Sequence, residues 1–315
     1  MSGKALLGRL GQALIVVVLA FTLAFVLLQA LPGDAVLIKF ENPELGLSPD
    51  QIAAIRAAYG ADTPWWQAYL HTLAGFVVGD FGYSIQSGTA VGALLAEVVP
   101  QTVVLAGLAF AAAVVLALAI AFAATWTPLP WLRNALASLP SVFVSVPAFW
   151  LAMVLIQVFS FRLGWIKVVG AGPLEQLILP VLTIAVPISA PLAQILVRSL
   201  EDVQRRPFVA VVRARGASRA WVLTHNVARN ALLPTLTIAG VLFGELVAGA
   251  VVTETVFGRA GIGRLTEQAV ANQDVAVLQA IVVLSAAAFV AVNLLIDLVS
   301  PLIDPRLTTE VRLAA

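Results

Sequence analysis

Residues 98–132 read VVPQTVVLAGLAFAAAVVLALAIAFAATWTPLPWL, an uninterrupted apolar stretch between Glu97 and Arg133 that contains no charged side chain. A helix needs about 20 consecutive, predominantly apolar residues to cross the hydrocarbon core of a bilayer. This stretch is longer than that and lacks any charge that would hold it in water. It therefore predicts a helix that spans a membrane.

The composition of the whole chain points to the same solvent. Of its 315 residues, 61% are hydrophobic and 11% are charged, whereas a soluble domain carries roughly 25% charged residues. A water-soluble protein could not bury so much apolar surface, so lipid covers much of this chain. There is no cysteine, which excludes disulfides and thiol-based metal or redox sites.

Five further stretches are long and nearly free of charge. They are 10–33, 134–161, 176–197, 230–253 and 275–303, and the last two each contain one acid, Glu245 and Asp297. The first stretch could be a cleaved signal peptide, but its apolar run exceeds the 7–15 residues of a signal-peptide core and ends without a small-residue cleavage site. The sequence thus predicts an all-α membrane protein with six transmembrane helices and a long external segment after the first.

Basic residues set the expected orientation. Six spans place both termini on one side, and basic residues favour the cytoplasmic side. With the termini inside, that side carries twelve of the eighteen basic residues: Lys4, Arg9, Arg133, Arg198, Arg205, Arg206, Arg213, Arg215, Arg219, Arg229, Arg306 and Arg312. The resulting organisation is a tail and first span at 1–33, an external segment at 34–97, a five-span core at 98–303 with a cytoplasmic loop at about 198–233, and a cytoplasmic tail at 304–315.

The external segment contains one candidate helix, at 64–78. It opens with Pro64 and places aromatic and aliphatic residues at near-helical spacing, as in a helix that lies on an apolar surface. Two placements are open, on the membrane surface or as a cap packed on the protein's own bundle. The cap is the favoured one.

The cytoplasmic loop is the most basic part of the chain. Pro207 suits the first turn of a helix, Gly216 breaks that helix, and Ala217-Ser218 can open a second one. The second helix would expose Ser218 and Arg219 and pack Trp221, Val222 and Leu223. Such a loop, held by a span at each end, is a lever that a soluble partner could push. The alternative is that its arginines only set topology and meet anionic lipid headgroups.

Three residues within the spans are candidates for a translocation pathway. Pro187 and Pro191 lie four residues apart on one helical face and leave backbone carbonyls without their usual partners; a packing kink is an equally good explanation. Glu245 lies within a span, where an acid usually faces a cavity or a partner. It could line the pathway or be neutralised against a neighbouring subunit. Asp297 lies near the inner end of the last span and suits a structural role.

Other functional classes lack their motifs. The sequence has no G-x-x-x-x-G-K-[ST] phosphate loop, no zinc-ligand spacing and no G-x-S-x-G elbow. A secondary transporter or channel remains an alternative, although such proteins usually place several ionisable groups within their spans. A membrane-embedded enzyme would need paired acids or a nucleophile with its base, and a non-transporting scaffold is also open.

Five short motifs resemble one family in order and position. They are Leu31-Pro32-Gly33-Asp34; Gly79-Asp80-Phe81-Gly82-Tyr83-Ser84; Val212-Arg213-Ala214-Arg215-Gly216-Ala217-Ser218 with Arg229-Asn230-Ala231-Leu232-Leu233-Pro234; Glu254-Thr255-Val256-Phe257-Gly258 with Gly261-Ile262-Gly263-Arg264-Leu265; and Asp304-Pro305-Arg306. Together they resemble ABC transporter permeases, more narrowly the B-type subunit of the oligopeptide/dipeptide (peptide/nickel) importer group. Arg259-Ala260 stands where that group usually has Trp-Pro.

The resemblance implies a division of labour. This chain would be a non-catalytic permease in a bacterial inner or plasma membrane, with the fold of type I importers. It would pair with a second, homologous permease, with two cytoplasmic ATPases that bind ATP and Mg²⁺, and with an external substrate-binding protein. No cofactor, metal or nucleic acid would bind to the chain itself. Its coupling residues would be Val212, Arg213, Ala214, Arg215, Gly216, Ala217, Ser218 and Arg219, and its cargo a peptide, a nickel complex, glutathione or another small solute.

Overall fold

A computed structural model describes residues 3–29, 48, 50–52, 63–168, 170 and 172–303, with side chains at 3–6, 233, 236–237, 243–245, 247–249 and 296–303 left out. These residues form helices joined by short connections. The helices are α1 Gly3–Gln29, α2 Trp65–Val78, α3 Val91–Trp126, α4 Pro130–Ser145, α5 Ala148–Leu155, α6 Glu175–Gln204, α7 Pro207–Ala214, α8 Arg219–Trp221, α9 Ala228–Val256, α10 Ile262–Ala271 and α11 Val275–Ile303. Two π-helical segments extend α5 and α8, at Ile156–Arg162 and Val222–Val227. Among the described residues, β structure is limited to an isolated bridge between Tyr83 and Ala90.

The membrane-spanning character of the fold is confirmed. Within the described residues, four helical stretches are long and apolar enough to cross a bilayer, and a bent pair raises the number to five. The four are Leu7–Gln29, Val91–Trp126, Glu175–Gln204 and Val275–Leu295. The remaining predicted window, 230–253, falls within α9. The side chains of Glu245 and Asp297 lie outside the described residues.

The third predicted window, 134–161, is not one continuous helix, which corrects the expectation from its lack of charge. Helices α4 and α5, the second continued to Arg162, are bent by 103° at the break between them. At this break Val146 and Pro147 are both extended, and Pro147 is the N-cap of α5. Proline disfavours a helical conformation in the residue before it. The Val146-Pro147 pair therefore causes the bend, which the hydropathy of the stretch does not indicate.

One compact unit comprises Met1–Thr102 and Ala260–Ala291. In it α2 packs against α1: the Tyr69 hydroxyl lies 2.9 Å from Thr22 Oγ1, and its ring makes T-shaped contacts with Phe21 and Phe25. Phe76 also contacts Phe21. Tyr69 and Phe76 thus face the protein's own first span, which favours the cap over the membrane-surface placement, whereas Trp65 and Trp66 remain exposed.

The other compact unit comprises Val103–Arg259 and Val292–Ala315. Its central element is α6, which packs against α4, α5 and α9. The most apolar window of α6 is 56% buried, against 17–33% for the other three continuous spans. Small residues of α3, Ala109, Ala113 and Ala117, lie in the same buried cluster as Ile184 and Leu192 of α6, and small side chains allow close approach of membrane helices.

Candidate functional site: the loop between α6 and α9

The loop begins with a proline-started helix. The backbone of Arg206 is extended, with φ −71° and ψ 144°, and Pro207 follows at the first helical position of α7. Proline suits this position because its fixed φ is helical and its missing N–H would have no partner there. The predicted start of the first loop helix is therefore confirmed.

Gly216 ends that helix in a left-handed conformation. Its φ is +86°, its N–H donates to the carbonyl of Arg213 at 2.9 Å, and the N–H of Arg215 donates to Val211 at 3.2 Å. A left-handed residue after a helix satisfies carbonyls that the helix leaves open, and glycine takes this conformation at little cost. A Cβ at this position would meet no atom within 4 Å, so glycine is required by backbone conformation and not by space.

The second half of the loop starts at Ser218. Its hydroxyl oxygen accepts a hydrogen bond from the Trp221 N–H at 3.3 Å, which is the usual N-cap contact. The three-residue helix α8 follows, and the π-helical turn Val222–Val227 carries the chain into α9. Helix, glycine and second helix are thus arranged as the sequence predicts, with the π turn as an addition.

The loop is anchored by a buried apolar cluster. Val209 of α7 and Val222, Leu223 and Val227 of the second half are all at most 4% exposed. They share this cluster with residues from the ends of α3 and α6, namely Ala121, Ala124, Leu196, Val197, Leu200 and Val203. Both halves of the loop are therefore packed onto the membrane helices, so that a force on the loop reaches those helices.

Arg219 points back into the protein. Its Nη2 atom donates a hydrogen bond of 3.1 Å to the carbonyl oxygen of Thr125, one residue before the end of α3. Carbonyls in the last turn of a helix lack intrahelical partners and favour a nearby cation. Arg219 is exposed, as expected, but its guanidinium is used within the chain.

The solvent-exposed face of the loop combines cations with apolar side chains. Arg213 and Arg215 are exposed, together with Phe208, Val211 and Trp221 at 37%, 53% and 48%. Trp221 was expected to pack inward with Val222 and Leu223, and this is wrong for Trp221 alone. Its ring stacks on His225 with centroids 5.1 Å apart and an interplanar angle of 8°.

The pathway candidates lie on a different element. Pro187 and Pro191 are half-buried on α6, which runs unbroken from Glu175 to Gln204 despite containing Pro180 as well. They lie on a partly exposed stripe that continues through Gln194 to the exposed Arg198. The structure therefore places the prolines on a face of α6 that its own unit leaves open.

One polar contact on the predicted outer side was missed from the sequence. The Ser84 hydroxyl donates to Asp274 Oδ2 at 2.5 Å, and both residues are buried. The Gln86 N–H also reaches Oδ2, at 3.4 Å, and the Val277 N–H lies 3.4 Å from Oδ1. Asp274 directly precedes α11, and an aspartate before an apolar run is a helix-start signal; its partner, 190 positions away in sequence, carries no such signal.

Comparison with known proteins identifies the family. Residues 113–309 match the family described as binding-protein-dependent transport system inner membrane component, and residues 3–106 match the N-terminal component of the same system. A probable peptide ABC transporter permease of Sinorhizobium fredii is 32% identical over 97% of this chain and 99% of its own length. The glutathione transport system permease GsiC of Escherichia coli is 34% identical over 96% of each.

A solved structure supports the fold. The methionine ABC transporter MetNI, in an inward-facing conformation, superposes with a TM-score of 0.57 at 17% sequence identity, over 67% of this chain and 96% of that one. The fold agrees with the family found from the sequence, and the family covers nearly the whole chain. This protein is thus a member of the binding-protein-dependent inner membrane components, the permease subunits of ABC importers.

Proposed function

We propose that this chain forms half of the translocation pathway of an ATP-driven importer and receives mechanical force from a cytoplasmic ATPase through residues 212–219. The observation that carries this proposal is the way the loop is built. It presents an exposed face of arginines and apolar side chains, while its opposite face is buried against the ends of α3 and α6. A loop that only met lipid headgroups would not need this second, buried face.

The chemistry of the exposed face suits a protein groove. Arg213 and Arg215 offer fixed positive charge with several donors each, which favours carboxylates on a partner. Phe208 and Val211, on the preceding helix, supply apolar area beside them. ATP and Mg²⁺ would be bound by two such ATPase partners, and this chain would remain non-catalytic and bind no cofactor.

The pathway itself would run beside α6. Its half-exposed stripe with Pro187 and Pro191 is open for a second permease or for the substrate path, and Glu245 on α9 is a candidate to meet a cationic group in the cargo. A homologous second permease and an external binding protein complete the proposed assembly, with both termini in the cytoplasm. A peptide is the proposed cargo, since similar permeases are named for peptides and glutathione.

The first experiment is purification of the tagged chain from native membranes in mild detergent, followed by mass spectrometry and an ATPase assay. Recovery of ATPase subunits and a second permease would support the importer, and a co-purified binding protein would narrow the cargo. Recovery of the chain alone in several mild detergents, without nucleotide hydrolysis, would favour a channel or secondary transporter.

A charge reversal tests the role of the loop. Arg215→Glu should abolish ATP-driven uptake at normal membrane abundance, because it places a like charge against a partner surface that prefers cations. The matched control is Arg133→Glu, which reverses an exposed arginine in the first turn of α4 and should leave uptake near the wild-type level. Wild-type uptake by Arg215→Glu would contradict the proposal.

A further inference from the structure

We infer that Arg219 is a positioning residue that ties the second half of the loop to the cytoplasmic end of α3, so that α3 moves with the loop during transport. This inference rests on the proposed function, but it assigns Arg219 a role different from its neighbours. Arg213 and Arg215 would face a partner, whereas Arg219 acts inside the chain.

The first argument is the hydrogen bond from Arg219 to Thr125. It joins residues 94 positions apart and places a full positive charge at the carboxyl end of a 36-residue helix. The carbonyls there carry the negative end of the helix dipole. A charge-assisted bond at this position resists displacement of the loop along and across the end of α3.

The second argument is the apolar packing below this bond. Ala121 and Ala124, on the last turns of α3, share a buried cluster with Val222 and Leu223, which directly follow α8. The polar bond therefore closes the edge of an apolar contact between the same two elements. The small alanine side chains restrain the relative orientation of the two elements only weakly. The arginine, at the exposed rim of their contact, fixes that orientation through its hydrogen bond.

The third argument is the difference between the two halves of the loop. In the first half, Val209 shares the buried cluster with Leu200 and Val203 near the end of α6. The second half contacts α6 through the π turn and shares the cluster with Ala121 and Ala124 of α3; Gly216, with φ +86°, separates the two halves. A single push on the loop would thus reach both α3 and α6 through one shared cluster, and Arg219 adds a polar bond to α3 alone.

The test uses a ratio of activities and a distance. In Arg219→Ala, the amount of substrate imported per ATP hydrolysed should fall about fivefold, the lower end of the usual range of coupling between sites, because the bond lies at an exposed rim. Arg219→Lys should recover most of the ratio, since lysine can still donate to the Thr125 carbonyl. Arg133→Ala, an exposed arginine outside this contact, should keep the wild-type ratio.

The distance is measured between spin labels at Leu129→Cys, just beyond α3, and Thr224→Cys, in the π turn; the native chain contains no cysteine to interfere. The distribution of this distance should stay narrow in wild type, with or without nucleotide, and should broaden in Arg219→Ala. A second pair, Asp202→Cys with Thr224→Cys, should be unaffected because it does not involve α3.

The two proposals fail in different ways. An unchanged Leu129–Thr224 distribution in Arg219→Ala overturns the role of Arg219, even if ATP-driven uptake is intact in wild type. Absence of ATP-driven uptake in wild type contradicts the proposed function, but the distance can still be measured on the chain alone, where widening in Arg219→Ala supports the tie. An unchanged transport ratio in Arg219→Ala also overturns it.

Discussion

Gly216 is the residue at which the cytoplasmic loop depends most on backbone conformation. Its φ of +86° is unfavourable for a residue with a Cβ, while the space around it is open. Gly216→Ala should therefore cost about 1 kcal/mol in local stability, and Gly216→Asn less, because asparagine tolerates the left-handed region. Gly216→Pro should be worst, since it fixes φ near −65° and removes the N–H that bonds the Arg213 carbonyl.

Uptake and ATP hydrolysis measured together in reconstituted vesicles separate these variants. We expect uptake to fall in the order Asn, Ala, Pro, with hydrolysis retained in the proline variant so that transport is uncoupled. Gly107→Ala is the matched control, because it adds the same methyl group to a helical glycine with open space around it. Uncoupling by Gly107→Ala, or full coupling in Gly216→Pro, would contradict this account.

Asp274 should contribute to stability through its contacts at the start of α11. Asp274→Ala removes the acceptor of the Ser84 hydroxyl and a side chain that lies near the Val277 N–H, and loss of an N-cap costs about 1 kcal/mol. We expect a lower melting temperature in detergent for Asp274→Ala and a smaller decrease for Ser84→Ala. Because both residues form one contact, the double variant should be less destabilised than the sum; strict additivity would mean that they act independently. Ser138→Ala, which removes an exposed hydroxyl bonded within its own helix, should melt as wild type.

Among the elements, the bend between α4 and α5 depends on one of two similar prolines. Pro140 lies inside α4, which continues past it, whereas Pro147 lies within the break itself. Pro147→Ala restores an N–H and relieves Val146 of its extended conformation, so the two arms should straighten at least in part. Pro140→Ala should leave the bend unchanged.

Spin labels at Ser138→Cys and Phe161→Cys report on this bend. In a single straight helix these positions would lie about 35 Å apart, at 1.5 Å per residue, and the bend of 103° makes the distance shorter. Pro147→Ala should lengthen or broaden the distribution toward the straight value. A shift in Pro140→Ala, with none in Pro147→Ala, would assign the bend to the wrong proline.

These elements also show how far sequence reasoning reaches. Stretches without charge locate spanning helices because lipid excludes charge, and Pro207 and Gly216 locate the loop helices because each restricts the backbone in a known way. Hydropathy does not report the direction of a helix axis, so it did not predict the bend at Pro147. The presence of proline alone does not predict a bend either, because α6 contains three prolines and is unbroken. The outward position of Trp221 was missed because three consecutive residues cannot all lie on one face of a helix with 3.6 residues per turn. With Val222 and Leu223 buried, Trp221 is left exposed.

For the molecule as a whole, the unequal distribution of basic residues predicts its orientation in the membrane. Twelve of eighteen lie on the side of the termini if six spans are counted, and such residues are retained on the cytoplasmic side. In spheroplasts, a membrane-impermeant maleimide should label Tyr83→Cys, an exposed residue of the external segment, without lysis. It should label Arg205→Cys, exposed in the loop before α7, only after lysis. The wild-type chain has no cysteine and is its own blank. Labelling of Arg205→Cys in intact spheroplasts would show the opposite orientation, in which the loop is external and cannot contact a cytoplasmic ATPase.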